Sequence, residues 1–222
     1  MKNLLVGILL LVTYSTFSQT CETYYFLQNH KTIEMTIYNK KGEANGKQVY
    51  TVSNVQTSGN NVTATLNSEM FDKNGKSMVK AVNEIKCSAG VMMMDMKMNM
   101  PQTQQATDVN ATASNVYIEY PPNMKDGDNL KDAAMKIDVD NKGMKQTMDM
   151  QVINRKVQGK ESITTTAGTW DCYKITNTTK MKIKTMGIGI PINTDVTEWF
   201  APGFGVVKSE SKSGGTAITA IH

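Results

Sequence analysis

Val62-Thr63-Ala64-Thr65-Leu66-Asn67-Ser68-Glu69-Met70-Phe71, followed by Asp72-Lys73-Asn74-Gly75-Lys76, decides the fold class. Val62, Ala64, Leu66 and Met70 alternate with Thr63, Thr65, Asn67 and Glu69. Successive strand side chains point to opposite faces, so a period of two sets an apolar face on a core and a polar face in water. The run from Asp72 to Lys76 then supplies Asn and Gly, which tolerate the positive φ angles of a tight hairpin, and a return strand is expected from Ser77.

The same pattern recurs outward from this hairpin. Ile33, Met35 and Ile37 alternate with Thr32, Glu34 and Thr36, and Met135, Ile137 and Val139 with Lys136, Asp138 and Asp140. Asp140-Asn141-Lys142-Gly143 reads as a second tight turn, and the stretch from Lys40 to Gly46 as a looser one. No long window carries helical spacing. Roughly ten short strands without intervening helices predict an all-β fold, an antiparallel and strongly curved sheet or barrel. Pro101 to Ser114 is rich in Gln, Thr, Asn and Ala and reads as a loop or a weak short helix. Pro121 to Asp128 is a turn-rich crossing near the midpoint, so residues 121–130 mark a boundary between halves of one domain rather than between two domains.

The first residues form a different kind of segment. Lys2 precedes an apolar run from Leu4 to Val12, and small or polar residues follow through Ser18. That is the order of a secretory signal peptide, residues 1–18, with Thr16 and Ser18 at the small-residue positions before cleavage. The apolar run falls short of the roughly 20 residues that cross a bilayer. A single β domain, residues 19–222, remains, with no transmembrane segment expected. Removing Lys2 takes the net charge from +4 to +3, too mild to imply nucleic acid or an anionic surface. Cys21, Cys87 and Cys172 allow one disulfide and leave one thiol in an oxidising compartment, with the pairing open. Cys21 also raises a lipid anchor, but Ser18-Gln19-Thr20 before it fits that signal badly.

The chain holds 17 methionines, and they cluster. Met92, Met94, Met96, Met98 and Met100 fall on one face of a predicted strand, and Met144, Met148 and Met150 share a face of another. Three readings of these residues stand open. Methionine fills cores as a flexible apolar side chain; its pliable, polarizable surface also suits a cavity for an apolar ligand. Thioethers can further bind a soft metal such as Cu(I), though His30 and His222, the two imidazoles, lie far from the clusters in sequence.

Catalytic signatures are missing from the sequence: it has no Gly-x-Ser-x-Gly elbow, no phosphate-binding glycine loop and no His-Glu-x-x-His. Asp126 with Asp128, and Asp138 with Asp140, are carboxylate pairs of the kind turns and wet strand faces carry. Lys180, Lys182 and Lys184 share one strand face opposite Met181 and Ile183, which reads as a solvated face or edge protection.

Thr166-Ala167-Gly168-Thr169-Trp170-Asp171-Cys172-Tyr173-Lys174-Ile175 and Glu198-Trp199-Phe200-Ala201-Pro202-Gly203-Phe204-Gly205-Val206-Val207-Lys208 resemble blocks of the TapB-like family of exported bacterial proteins. Cys87-Ser88-Ala89-Gly90 running into Met94-Asp95-Met96, and Pro122-Asn123-Met124-Lys125-Asp126-Gly127-Asp128-Asn129-Leu130, resemble further blocks. The resemblance implies an all-β envelope protein of a bacterium with two membranes, similar in general character to curved-sheet lipid and lipoprotein carriers, with no catalytic residues to transfer. The sequence therefore leads to an exported protein of the periplasm or outer-membrane surface, not an enzyme and without a cofactor. Its expected partner is a lipid or lipidated protein held on the Met-lined concave face. A structural envelope protein with a Met-rich core and a copper binder are the alternatives.

Overall fold

The computed structural model describes residues 21–99, 110–112, 116–141, 144–185 and 188–222; the expected signal peptide lies outside them. The chain forms one antiparallel sheet of 13 strands, curled into a nearly closed barrel. In chain order these are β1 (Thr32–Asn39), β2 (Ala44–Ser58), β3 (Asn61–Asp72), β4 (Ser77–Ser88), β5 (Val91–Asp95), β6 (Asn110–Thr112) and β7 (Tyr117–Tyr120). They continue with β8 (Ala133–Asn141), β9 (Met144–Thr165), β10 (Gly168–Thr185), β11 (Ile188–Ala201), β12 (Gly205–Ser211) and β13 (Gly214–Ile221). Among the described residues no helix is long and apolar enough to cross a membrane.

The hairpin that decided the fold class is present as expected. Val62, Ala64, Leu66 and Met70 are buried along β3, and Asp72 Oδ1 accepts the Asn74 and Lys76 amides at 2.8 and 2.9 Å while Gly75 takes φ 80°. Asn141 of β8 pairs with Met144 of β9, while Lys142 and Gly143 of the expected second turn lie outside the described residues. Within the stretch expected as a loop or short helix, Asn110–Thr112 is instead a strand, β6, paired with β8.

Strand order runs β6-β8-β9-β10-β11-β12-β13-β1-β2-β3-β4-β5-β7. The last strand therefore pairs with the first, and the edges meet where the midpoint crossing runs. That crossing, residues 121–132, is a strap. It bridges to β9 at Asn129 and Lys156, with Leu130 N–H donating to the Arg155 carbonyl at 2.8 Å and Gly127 N–H to that of Val157 at 3.0 Å. The two halves expected on either side of it thus belong to one sheet.

One end of the barrel is filled from the N-terminal side. Two 3-10 turns, Cys21–Thr23 and Tyr25–Leu27, bury Tyr24, Phe26 and Leu27. Phe26 meets Phe204 edge-on at 5.7 Å and Tyr50 at 6.1 Å. Cys21 is bonded to Cys87 of β4, which settles the pairing and leaves Cys172 free and buried. A sulfur in a disulfide cannot also carry a thioether-linked lipid, so the bond and a lipid anchor at Cys21 exclude each other.

Candidate functional site

A cavity of about 510 Å³ occupies the barrel interior. Its floor is buried, with Phe26, Ile118 and Tyr120 almost wholly shielded, whereas Glu210 and Ser213 at its other end, on the β12–β13 hairpin, are exposed. The hairpin end is thus the mouth. Strands pass very close there: a Cβ on Gly214 would sit 2.1 Å from the Tyr38 carbonyl oxygen, and one on Gly215 2.2 Å from that of Ser209.

The two walls differ in balance: Gln48 and Asp95 interrupt the more apolar one, and Val196 and Val206 the more polar one. Met35, Ile37, Met70, Met94, Met98 and Ile118 make the apolar wall, from the β1–β7 side. Thr179 of β10, Thr194 and Glu198 of β11, Ser209 and Glu210 of β12 and Thr216 of β13 make the polar one. Of the described methionines singled out in the sequence, only Met94 and Met98 face this space, joined by Met35 and Met70, which the clustering did not select.

The others divide. β5 ends at Asp95 and a 3-10 turn follows from Met96 to Asn99, so the expected single strand through Met100 does not form. Asp95 stops it: its Oδ1 accepts the Lys97 amide at 3.0 Å, a side-chain-to-backbone turn that competes with the strand ladder. Met92 and Met96 are fully buried in the core. Met148 and Met150 are core as well, with Met150 paired across strands to Met135 and Met181. Met135, Met150 and Met181 also border a second hollow of about 490 Å³, beside Lys136, Lys180 and Lys182. Met100 and the Met144 side chain lie outside the described residues.

A buried polar cluster, which the sequence did not reveal, stands behind the cavity floor. Its centre is Arg155, the single arginine of the chain, only 1% exposed. Along β9, Met148, Met150 and Val152 face inward, but beyond Asn154 it is Arg155 and Val157 that do. The register with β10 slips there and Asn154 takes φ 55°. This is a β-bulge, and one extra residue turns the next side chain to the opposite face.

Arg155 Nη1 donates to the carbonyls of Glu119 at 3.0 Å and Lys131 at 2.9 Å. It therefore ties edge strand β7 and the strap to β9, closing the seam. Its plane lies 4.9 Å from the Tyr120 ring centre, whose other side stacks on Phe200 at 4.6 Å. Tyr120 in turn donates its hydroxyl to Glu198 Oε2 at 3.0 Å. Burial holds the Glu198 carboxyl above the ordinary carboxylate range, opposed by the Arg155 charge and by the Tyr120 and Asn177 side chains. Burial, and then the Glu198 charge, push the Tyr120 hydroxyl well up. Arg155 Nε and Nη2 and Asn177 Nδ2 are buried without a hydrogen-bond partner among the described residues.

The remaining polar candidates have local roles. Asp128 Oδ2 accepts the Lys125 amide at 2.7 Å and Asp138 Oδ1 the Thr147 hydroxyl at 2.8 Å. Lys180 and Lys182 are exposed, and Lys184 pairs with Asp149 at 3.1 Å, consistent with a solvated face. Burial pushes the Cys172 thiol up to about 12. Among the described residues no group of three or more His, Cys, Asp or Glu side chains is placed to hold a metal ion.

Fold and cavity together define a class: a single curled antiparallel sheet, plugged at one end, around an amphipathic interior. Within it, the chain belongs to the DUF3108-like family, whose profile matches residues 28–218. The profile carries that name, and the TapB-like name is not among the matches. A Bacteroides fragilis protein of YmcC-like fold, inferred to be exported, is 23% identical over 88% of this chain and 96% of its own, with a TM-score of 0.71. An inferred lipoprotein of Parabacteroides distasonis is 20% identical over 90% of this chain and 99% of its own, with a TM-score of 0.73. At such identities the likeness establishes the fold. No curated protein matches the chain.

Proposed function

We propose that this is an exported envelope protein that binds an apolar or lipid-like ligand inside its barrel, without a catalytic step. The observation that carries the reading is the cavity itself, whose 510 Å³ falls within the roughly 300–1,000 Å³ of small-molecule sites. Four methionines on its apolar wall give a surface that adapts to a flexible chain. The description of one structural relative as exported and of the other as a lipoprotein, with the signal-like first 18 residues, supports the envelope location.

The test is uptake of the fluorescent probe N-phenyl-1-naphthylamine by the purified protein, with Met98→Trp filling the cavity from its wall. Met96 is unsuitable because it is core. Saturable uptake that Met98→Trp removes, at unchanged far-UV circular dichroism, supports the reading. Absence of uptake by the wild type, or uptake indifferent to Met98→Trp, refutes it. Elemental analysis of the same sample addresses the thioethers directly: about one copper per chain would replace the lipid reading with the metal one.

A further inference from the structure

Among the described residues, every charged side chain that borders the cavity is a carboxylate. Asp95, Glu198 and Glu210 line it, and no described Lys, Arg or His does, although the chain as a whole carries a net charge of +4. The neighbouring cations stand one layer back. Lys97 reaches Asp95 Oδ2 at 3.2 Å and Lys208 reaches Glu210 at 2.6 Å, while Arg155 is held to two carbonyls behind the Tyr120 ring.

Two of the three acids are deeply placed. Asp95 is 1% exposed and Glu198 8%. Among the described residues Asp95 Oδ2 is sealed from solvent and closes no hydrogen bond, with the Lys97 ammonium 3.2 Å away. Glu198 accepts one hydroxyl, from Tyr120, through Oε2. Buried carboxylates are costly unless a donor or cation satisfies them. Glu198 borders a space that Tyr38 and the buried Tyr50 also line, and aromatic rings attract a ligand cation that reaches their faces.

We propose that the ligand is a cationic amphiphile: an apolar chain lying against the methionine wall, with a primary amine or quaternary ammonium head set against Glu198, and Asp95 adding its charge from behind the lining. This rests on the cavity-binding reading above and adds the charge of the head group. Burial disfavours ionised Glu198 in the empty protein, against the opposing Arg155 charge; an entering cation adds to that counter-charge and favours the ionised form further.

The experiment compares three ten-carbon compounds below their micelle concentrations: decyltrimethylammonium, 1-decanol and decanoate. Each displaces N-phenyl-1-naphthylamine from the full protein at pH 7 and low salt. The expected result is an ammonium affinity about tenfold or more above that of decanoate. Glu198→Gln brings the two within about threefold, and Asp95→Asn, measured separately, narrows the difference in the same direction. Added salt narrows it as well. Decanoate binding as tightly as the ammonium overturns the proposal, as does a preference that survives both substitutions. If decanol binds and the head group makes no difference, only the charge inference falls. If no ten-carbon compound binds, the cavity reading falls with it.

Discussion

Arg155→Met tests the claim that one buried guanidinium closes the barrel. The substitution keeps a long, flexible side chain but removes two hydrogen bonds from a charged donor, to the Glu119 and Lys131 carbonyls. Bonds of that kind contribute about 1.5–3 kcal/mol each, a gross loss of about 3–6 kcal/mol. Against this, the wild type buries a cation whose Nε and Nη2 find no partner, and methionine relieves that desolvation cost. A net destabilisation of about 3 kcal/mol is expected. For a chain of this size it lowers the melting temperature by about 6–12 °C. Urea unfolding followed by tryptophan fluorescence measures the first quantity, and calorimetry the second. Arg155→Lys is the companion variant. A lysine ammonium ends short of the Nη1 position and lacks the planar guanidinium that lies over the Tyr120 ring, so it should fall with methionine and not with the wild type. Hydrogen exchange adds the location: β7 and the strap should lose protection before β9 and β10 do. A stability within about 0.5 kcal/mol of wild type for Arg155→Met would refute the reasoning, because the desolvation cost would then cancel the seam's hydrogen bonds entirely.

Three further outcomes are expected. Cys87→Ser opens the bond to Cys21, which spans 66 residues; chain-entropy arguments give a loss of about 4 kcal/mol, read as a shifted urea midpoint together with proteolysis of the N-terminal plug. Cys172 should resist alkylation in the folded protein at pH 8 and react at once in denaturant, because burial raises its thiol to about 12; rapid labelling of the native form would contradict its placement. Glu198 carries a raised folded-state pKa, so the native state binds a proton that the unfolded state releases. Its stabilising contribution is therefore full below the ordinary glutamate pKa and lost as pH rises through the folded value. Glu198→Gln should flatten that part of the stability–pH curve, and an unchanged curve would rule the assignment out.

The fold was legible because its signal is local. Alternation such as that of Val62, Ala64 and Leu66, and turn chemistry such as that from Asp72 to Lys76, depend on a few neighbouring residues, and the structure places both as read. The methionine face was legible only in part. Met92 and Met94 do share a face of β5, pairing with Tyr120 and Ile118, but the run from Met92 to Met98 alternates just as well as a longer strand would. Only the Asp95 carboxylate folding back on the Lys97 amide interrupts it, and Asp is disfavoured within strands, so the interruption had a signal. Which methionines face the cavity and which fill the core is set by the curl of the sheet around them, and no spacing in the sequence encodes that curl.

Arg155 shows why the polar cluster was harder still. Read as an unbroken strand, β9 would put Met148, Met150, Val152 and Asn154 on the inner face and leave Arg155 in water. The inward set resumes at Val157, an odd position, and an even-to-odd change along one strand requires an added residue. Asn154, a residue type that enters the left-handed region readily, stands where that residue must be, and its φ of 55° is the result. A parity change next to an asparagine was thus visible, and so was the sole arginine beside it. What the sequence could not supply was the far side of the contact. Glu119 and Glu198 lie 36 and 43 positions from Arg155, and they come within reach of the Arg155–Tyr120 pair only once the strap has carried the chain across the barrel. The same closure places Asp95 and Glu198, more than a hundred positions apart, on a single cavity. The acidic lining is therefore a product of the barrel's closure, and a seam weakened at Arg155 should loosen the cavity and its charge preference together.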